Sequence, residues 1–496
     1  MSVRVAAVDL GATSGRVMSG RISGGAEPRV EINELHRFPN GAVRAGGSLF
    51  WDVLGIHRET VAGVRKVAET GPLHGIGIDS WAIDYGLLDR DGVLLGSPYS
   101  HRDARTEGVA EKVVAEIGAA ELYRTTGLQQ LPFNTLYQLV AARGTAALEA
   151  ADALLLLPDL LGYWLTGVAG AERTNASTTQ LYDITTGGWA TDLCRRLGLP
   201  WSILPPLRDP GSVLGPLLPD VARELGVGAD VPVVAVGSHD TASAVVGVPA
   251  ATDRFAYISS GTWSLVGLEL DRPVLTEEAR QADFTNELGL DGTVRFLKNV
   301  TGLWVLSECL RSWSERRYQD VQLRPLIEAA AEFAPLRSVI DINDPRLLAP
   351  STAADPMPER VAMIAAEAGE PVPASPVAIS RCVVDSLAVA YRRHVRTAAE
   401  LAGHEVDVVH VVGGGSQNEL LCQLTADACG LPVLAGPVEA AALGNVVVQG
   451  RALGADLPDL AAMRAVVRRS YEVRRHEPRD GLDWAAAEVR ATRRAG

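Results

Sequence analysis

In the stretch VPVVAVGSHDTASAV, Val231 to Val245, six mostly apolar residues run into Gly237, and Ser238, His239, Asp240 and Thr241 follow side by side. A carboxylate between an imidazole and a hydroxyl, at the carboxyl end of a buried strand, lies where α/β folds collect ligands. Asp240 reads in two ways. It is the right residue type to cap a short helix over 241–246, and it is equally placed to act as a general base. On the second reading the fitting chemistry is phosphoryl transfer, which needs an oriented hydroxyl, a proton acceptor and charge stabilisation on the phosphates. Asp240 would take the proton, and His239 and Thr241 would orient the accepting hydroxyl.

Three turns combine glycine with hydroxyl residues: Gly11–Gly15, Ser259–Thr262 and Gly413–Ser416. Glycine brings a backbone N–H to phosphate without side-chain obstruction, and Ser or Thr adds a donor. Each turn alone is ordinary; together they suggest a polyphosphate. Asp9 ends an apolar strand just before the first turn. It reads either as a solvated carboxylate or as an outer-sphere holder of Mg²⁺, an ion that keeps its waters and accepts carboxylates through them. The only lysines are Lys66, Lys112 and Lys298, none following a glycine, so the GxxxxGK[ST] phosphate loop is absent.

The elements that would position these groups follow from pattern. Residues 3–8 and 17–22 flank the first turn as a hairpin of strand-forming residues. Val53 to Thr70 has helical periodicity, residues 74–96 read as strands around the Asp89–Gly92 turn, and helical patterns fill much of 107–165. Val231 to Val236 suits a strand buried on both faces. Phe255 to Gly267 repeats the apolar–turn–apolar pattern of the N-terminus, which suggests two lobes of related architecture. Residues 343–378 read as an irregular excursion with one short helix, 378–401 as a helix and 406–412 as a strand. Ser416 is then the expected N-cap of a helix from Gln417 to Ala428 that stops at Gly430.

A chain of 496 residues is too long for one hydrophobic core. Its net charge of −14 argues against nucleic acid or an anionic membrane as partner. Five cysteines without a CxxC point to buried thiols rather than disulfides or zinc. The first 30 residues lack a signal-peptide core and no apolar run reaches bilayer length, so the cytoplasm is the expected location. The sequon at Asn175 is expected to be chance, and no oligomeric state can be read.

The chain resembles the FGGY carbohydrate kinases, of the actin/hexokinase/Hsp70-like ATPase superfamily, over residues 3–475. The resemblance is carried by AVDLGATSGRV (7–17), GIDSWAIDYGLLD (77–89), HRDART (101–106), LPFNTLYQL (131–139), TNASTTQL (174–181), SHDTASAV (238–245), SSGTWSLVG (259–267), LKNVTGLW (297–304) and VVGGGSQNELLCQLTADA (411–428). It implies an α/β fold of two ribonuclease-H-like lobes, 1–246 and 247–475, with a tail over 476–496 and an active-site cleft between lobes that closes over its ligands. It implies phosphorylation of a ketose, L-rhamnulose, at its C1 hydroxyl by MgATP. Asp240 is then the proton acceptor, and His239, Thr241, Ala82 and Asn299 are sugar contacts. Ala12, Thr13, Ser14, Gly15, Arg16, Thr262, Ser307 and Gly414 are ATP contacts, and Asp9 serves the metal. Three positions depart from the pattern: Ala82 where Gly is common, Ser307 where Gln is common, and His101 where Tyr is frequent. They leave open another ketose or ketose-like substrate. A non-catalytic sugar-responsive regulator is a further alternative, against which the intact Asp240 weighs. Trp81 is a candidate wall for the sugar's methyl group or, equally, a core residue.

Overall fold

The computed structural model describes residues 2–315 and 321–493; the last three residues of the expected tail lie outside them. The chain divides into two compact units. The first comprises residues 1–251, 269–296 and 440–470, and the second 252–268, 297–439 and 471–496.

The first unit is built on a six-stranded sheet. Its order is Val213–Pro216, Pro232–Val234, Gly75–Ser80, Val3–Leu10, Ser14–Ile22 and Val30–Pro39. Val3–Leu10 is antiparallel to Ser14–Ile22 and parallel to Gly75–Ser80, which is parallel in turn to Pro232–Val234. Seven of the eight residues of Val3–Leu10 are buried, as expected of a central strand covered on both faces. One cover is the helix Val53–Glu69, started by Asp52, whose carboxylate accepts from Gly55 N at 3.0 Å; such a cap is worth about 1 kcal/mol. The other is the helix Ala440–Ala452. A Cβ on Gly20 would lie 2.2 Å from Val446, and one on Gly63 would lie 2.3 Å from Val17, so the helix Ala440–Ala452 sits on a sheet residue without a side chain, whereas the helix Val53–Glu69 presents its own glycine to a sheet valine. A second core within the same unit gathers Val113, Leu122, Leu136, Leu139, Leu156 and Leu193, from the helical stretch read in the sequence, the strand Ala153–Leu156 and the helix Thr191–Arg196.

The second unit repeats the plan. Phe255–Ser260 pairs antiparallel with Ser264–Leu270 and parallel with Val408–Val412. Val408–Val412 is parallel to Val433–Ala435, which pairs antiparallel with Arg474–His476. Each unit thus has a hairpin, two further parallel strands and an antiparallel edge, the repeat anticipated from the two hairpin patterns. The helix Pro376–Ala402 meets the hairpin through Tyr391, whose hydroxyl lies 2.6 Å from Ser264 Oγ, and Gly403 in the left-handed region (φ 59°) ends it.

Two local expectations need correction. The strand read over 231–236 is shorter, Pro232–Val234. The helix expected from Gln417 is Glu419–Cys429, capped by Asn418 Oδ1, which accepts from Leu421 N at 3.0 Å. Ser416 instead donates to Gly413 O at 2.7 Å inside a 3₁₀ turn, Gly414–Gln417. The five cysteines are unpaired thiols, four of them buried. Asn175 is fully buried, which disposes of its sequon. Among the described residues no helix is long and apolar enough to cross a membrane.

Candidate active site

The strand Pro232–Val234 delivers residues 235–238, and Ser80 N donates to Ser238 O at 2.9 Å, prolonging the parallel pairing past the strand end. This brings the SHDT segment to the carboxyl end of the sheet, beside Asp79 and Ser80. The helix Asp240–Val246 begins there, with His239 in the cap position and making no side-chain cap bond. Asp240 therefore does not cap. Its Oδ1 lies 3.1 Å from Thr241 Oγ1 and 3.4 Å from His239 Nε2, and a third of its side chain (33%) is exposed. The helix is held from behind by backbone contact. A Cβ on Gly444 would fall 1.8 Å from Ser243 O, and one on Gly247 would fall 2.2 Å from Ala440 O.

Glu172 ties two of the quoted motifs together. Fully buried, it accepts from Thr174 N (2.8 Å) and Thr174 Oγ1 (2.5 Å) of TNAS and from Ser238 N (2.9 Å) and Ser238 Oγ (3.0 Å) of SHDT. Burial raises its pKa against those four donors.

Asp9 ends the strand Val3–Leu10 and is in register with Asp79 on Gly75–Ser80. Its carboxylate takes a 2.5 Å ion pair from Arg16 across the hairpin. Asp79 Oδ2 accepts from Asn445 Nδ2 at 2.6 Å, while its Oδ1 is buried without a hydrogen-bond partner. Burial first, and then the negative charges of Asp9 and Asp240, hold the Asp79 carboxyl well above the usual range. Asp240 is raised by burial and by Asp9, with His239 opposing. Three carboxyl groups thus feel one another at the sheet end. Among the described residues no three or more ligand side chains close into a metal cage. Mg²⁺ needs none, since it is held by one or two carboxylates, waters and substrate phosphates. The hard oxygen donors and the orphaned Asp79 oxygen fit such an ion.

The turn from Gly11 to Gly15 is closed by Gly11 N to Ser14 O at 3.0 Å and braced by Asn40 Nδ2 on Gly11 O at 2.8 Å. Thr13 is exposed, Ala12, Ser14 and Arg16 are partly so, and Gly15 is buried. Gly15 has no room for a side chain, because a Cβ would lie 2.2 Å from the Phe38 ring.

Beyond the sheet end, Asp84 is a second organising carboxylate. Its Oδ2 accepts from Trp51 Nε1 (2.7 Å) and Trp81 Nε1 (2.9 Å) and lies 2.7 Å from His101 Nδ1; its Oδ1 accepts from Gln138 Nε2 at 3.1 Å. Burial would raise its pKa, but His101 and the indole donors outweigh that and keep the carboxyl below its ordinary range. Trp81, tilted 41° against Trp51 with the ring centroids 4.3 Å apart and 8% exposed, is part of the core. Ile83, between Ala82 and Asp84, is a β-branched residue at φ 71°, a strained conformation costing about 1–3 kcal/mol. Thr135 Oγ1 fastens it by donating to Ile83 O at 2.7 Å. Ala82 has no such φ and is partly exposed, so nothing in its backbone demands glycine.

In the second unit, Gly413–Gly415 packs directly on the hairpin that bears Thr262. Gly413 has φ 83°, and a Cβ there would lie 2.8 Å from Ser260 O; one on Gly415 would lie 2.0 Å from Ser260 Oγ. Gly414 is exposed with open space where a side chain would be. Thr262 is exposed in the turn, and its O accepts from Trp304 N at 3.0 Å, which sets the start of the helix Trp304–Glu315. Ser307 lies three residues further on that helix and is exposed. Thr262, Gly414 and Ser307 are thus carried by one hairpin and the two segments seated on it. Asn299 is also in this unit, partly exposed on the strand Val294–Val300.

Two family models match the chain, the N-terminal domain of the FGGY family of carbohydrate kinases over residues 51–247 and the C-terminal domain over 256–453. The chain belongs to the FGGY family of carbohydrate kinases. This FGGY kinase is 41% identical to a rhamnulokinase of Bacteroides thetaiotaomicron over 97% of each chain. It is 44% identical to one of Pectobacterium carotovorum over 97% of this chain and 94% of the relative. In fold it matches a gluconate kinase of Lactobacillus acidophilus (TM-score 0.79, 16% identity, 99% of this chain and 96% of that one). It also matches a glycerol kinase of Plasmodium falciparum with ADP (TM-score 0.77, 15% identity, 99% and 96%). The two-domain α/β architecture is therefore that of the FGGY sugar kinases.

Glu172, Asp84, Asp79, Glu287 and Arg295 were not singled out as site residues in the sequence. For Asp79 and Asp84 a signal existed, since both lie inside the quoted motif 77–89, and Glu172 stands two residues before the motif 174–181.

Proposed function

We propose that this FGGY kinase transfers the γ-phosphoryl group of ATP to the C1 hydroxyl of L-rhamnulose, giving L-rhamnulose 1-phosphate and ADP, a step of L-rhamnose catabolism. The observation that carries the reading is its likeness, across nearly its whole length, to chains named rhamnulokinase. The half-open Asp240, at the sheet end with His239 and Thr241 beside it, supports the chemistry.

Asp240 accepts the proton of the C1 hydroxyl as the phosphoryl group arrives, while His239 and Thr241, with Ala82 and Asn299, hold the sugar. Ala12 to Arg16 approach the phosphates through backbone N–H groups, hydroxyls and the Arg16 guanidinium. Thr262, Gly414 and Ser307 contact ATP from the second unit, Ser307 through water because its side chain is short. Asp9 would hold Mg²⁺, an ion that keeps its waters and accepts carboxylates through them. That ion, when bound, neutralises charge on the phosphate oxygens. The functional lobes of this reading are 1–246, with sugar and phosphate contacts, and 247–475, for ATP, followed by a tail over 476–496. The limits of the two family models, meeting between residues 247 and 256, support that division.

A second substrate within the same chemistry is favoured by one observation: His101, locked at 2.7 Å to Asp84, stands where the family resemblance leads one to expect tyrosine. A panel of ketoses including L-rhamnulose, assayed with MgATP and with the phosphorylated carbon assigned by NMR, separates the two. L-rhamnulose should give the highest kcat/KM and a C1 phosphate. Preference for another ketose would move the substrate, and no turnover on any would remove the kinase reading.

A further inference from the structure

Arg295 is the largest fully buried side chain in the described structure, and the reaction as outlined makes no use of it. It belongs to the same unit as the SHDT segment. Its Nε donates to Leu288 O at 3.1 Å, and its Nη1 lies 3.0 Å from Glu287 Oε2. Its Nη2 points at His239 Nδ1, 3.2 Å away. Glu287 Oε2 is also 3.2 Å from that nitrogen, yet it accepts no hydrogen bond there. A guanidinium has five N–H donors and no acceptor. A nitrogen that receives one of them cannot itself carry a proton, so the ring proton must sit on the other nitrogen. That nitrogen, Nε2, faces Asp240 Oδ1 at 3.4 Å, too long for a strong bond between them and open to a third oxygen.

We propose that Arg295, neutralised by Glu287, is a positioning residue that fixes His239 as the neutral Nε2–H tautomer. His239 is then a donor only on its open side. It can grip an oxygen lone pair of the sugar but cannot take a proton, which leaves Asp240 as the one acceptor at the site. The buried pair thereby divides the labour between two adjacent groups that could otherwise both act as base. Burial raises the Glu287 carboxyl, and the Arg295 guanidinium beside it opposes this, so that the carboxyl lies below its ordinary range and stays ionised opposite the guanidinium. The catalytic half of this inference rests on the kinase reading above; the tautomer does not.

The test is a two-bond ¹H–¹⁵N correlation spectrum of the full ¹⁵N-labelled chain near neutral pH without ligands, with the His239 signals identified as those lost in His239→Gln. The expected pattern is a neutral ring protonated at Nε2. A ring protonated at Nδ1, or an imidazolium, overturns the proposal. The double variant Arg295→Met/Glu287→Gln removes the donor without stranding a buried carboxylate. It should lose the Nε2–H preference and drop kcat/KM for the ketose on the order of 100-fold, with KM for ATP unchanged. Retention of both the tautomer and the sugar kcat/KM in a folded double variant also overturns it. If that variant does not fold, the wild-type spectrum decides alone. A wild-type Nε2–H spectrum with no ketose phosphorylated would sink the kinase reading and leave the tautomer standing.

Discussion

As the proposed proton acceptor, Asp240 would work only while ionised, and burial together with the Asp9 charge raises its pKa. A base with a raised pKa loses activity at higher pH on acidification than an ordinary aspartate would. The acidic limb of kcat/KM for the sugar should therefore lie above the usual carboxylate range, as a pH–rate profile will read; a flat profile down to that range would contradict it. Asp84 is the opposite case. Its lowered pKa means that it contributes stability above the unfolded-state pKa, and that this contribution is lost as pH falls through the lowered value. Asp84→Asn, which turns an amide toward donors, should cost roughly 3–5 kcal/mol in urea unfolding at neutral pH. A cost under about 1 kcal/mol would show that the cluster is not held by the charge.

At the scale of elements, the helix Asp240–Val246 owes its place to glycine contacts with the helix Ala440–Ala452. Gly444→Ala puts a methyl into the Ser243 carbonyl and must push the two helices apart. The expected result is a destabilisation of about 1–3 kcal/mol together with a lower kcat, because the shift carries Asp240 with it. Wild-type kcat in the folded variant would show that the base does not depend on that contact. What was legible in the sequence follows the same logic of range. The SHDT, SSGT and GGGS segments were readable because their chemistry sits in adjacent residues and their turns in glycine. The hubs were not, because Glu172 meets Ser238 across 66 residues and Arg295 meets His239 across 56. The cap at Asn418 was missed because Ser416 is an equally good cap by type. Packing of Gly413 and Gly415 on Ser260 winds residues 414–417 into a 3₁₀ turn and delays the helix by two residues.

At the scale of the molecule, two related sheets recur, each completed by distant chain. In the first unit, Asn445 bonds Asp79 and Gln449 Nε2 bonds Ala6 O at 3.0 Å, both reaching back more than 360 residues. A fragment of residues 1–251 should therefore fail to unfold cooperatively and should bind hydrophobic dye; a sharp two-state melt would contradict the discontinuous unit. The repeat was readable from the hairpins, but the return of residues 440–470 to the first unit was not, since nothing local marks it. The central claim, that one carboxylate draws the proton from the sugar's C1 hydroxyl, is tested most directly with Asp240→Asn. Calorimetry should find the variant folded and binding ATP and L-rhamnulose within a few-fold of wild type. Phosphorylation should fall by about 10²–10⁴-fold, the range for a lost general base. Turnover within a few-fold of wild type would remove Asp240 from the chemistry.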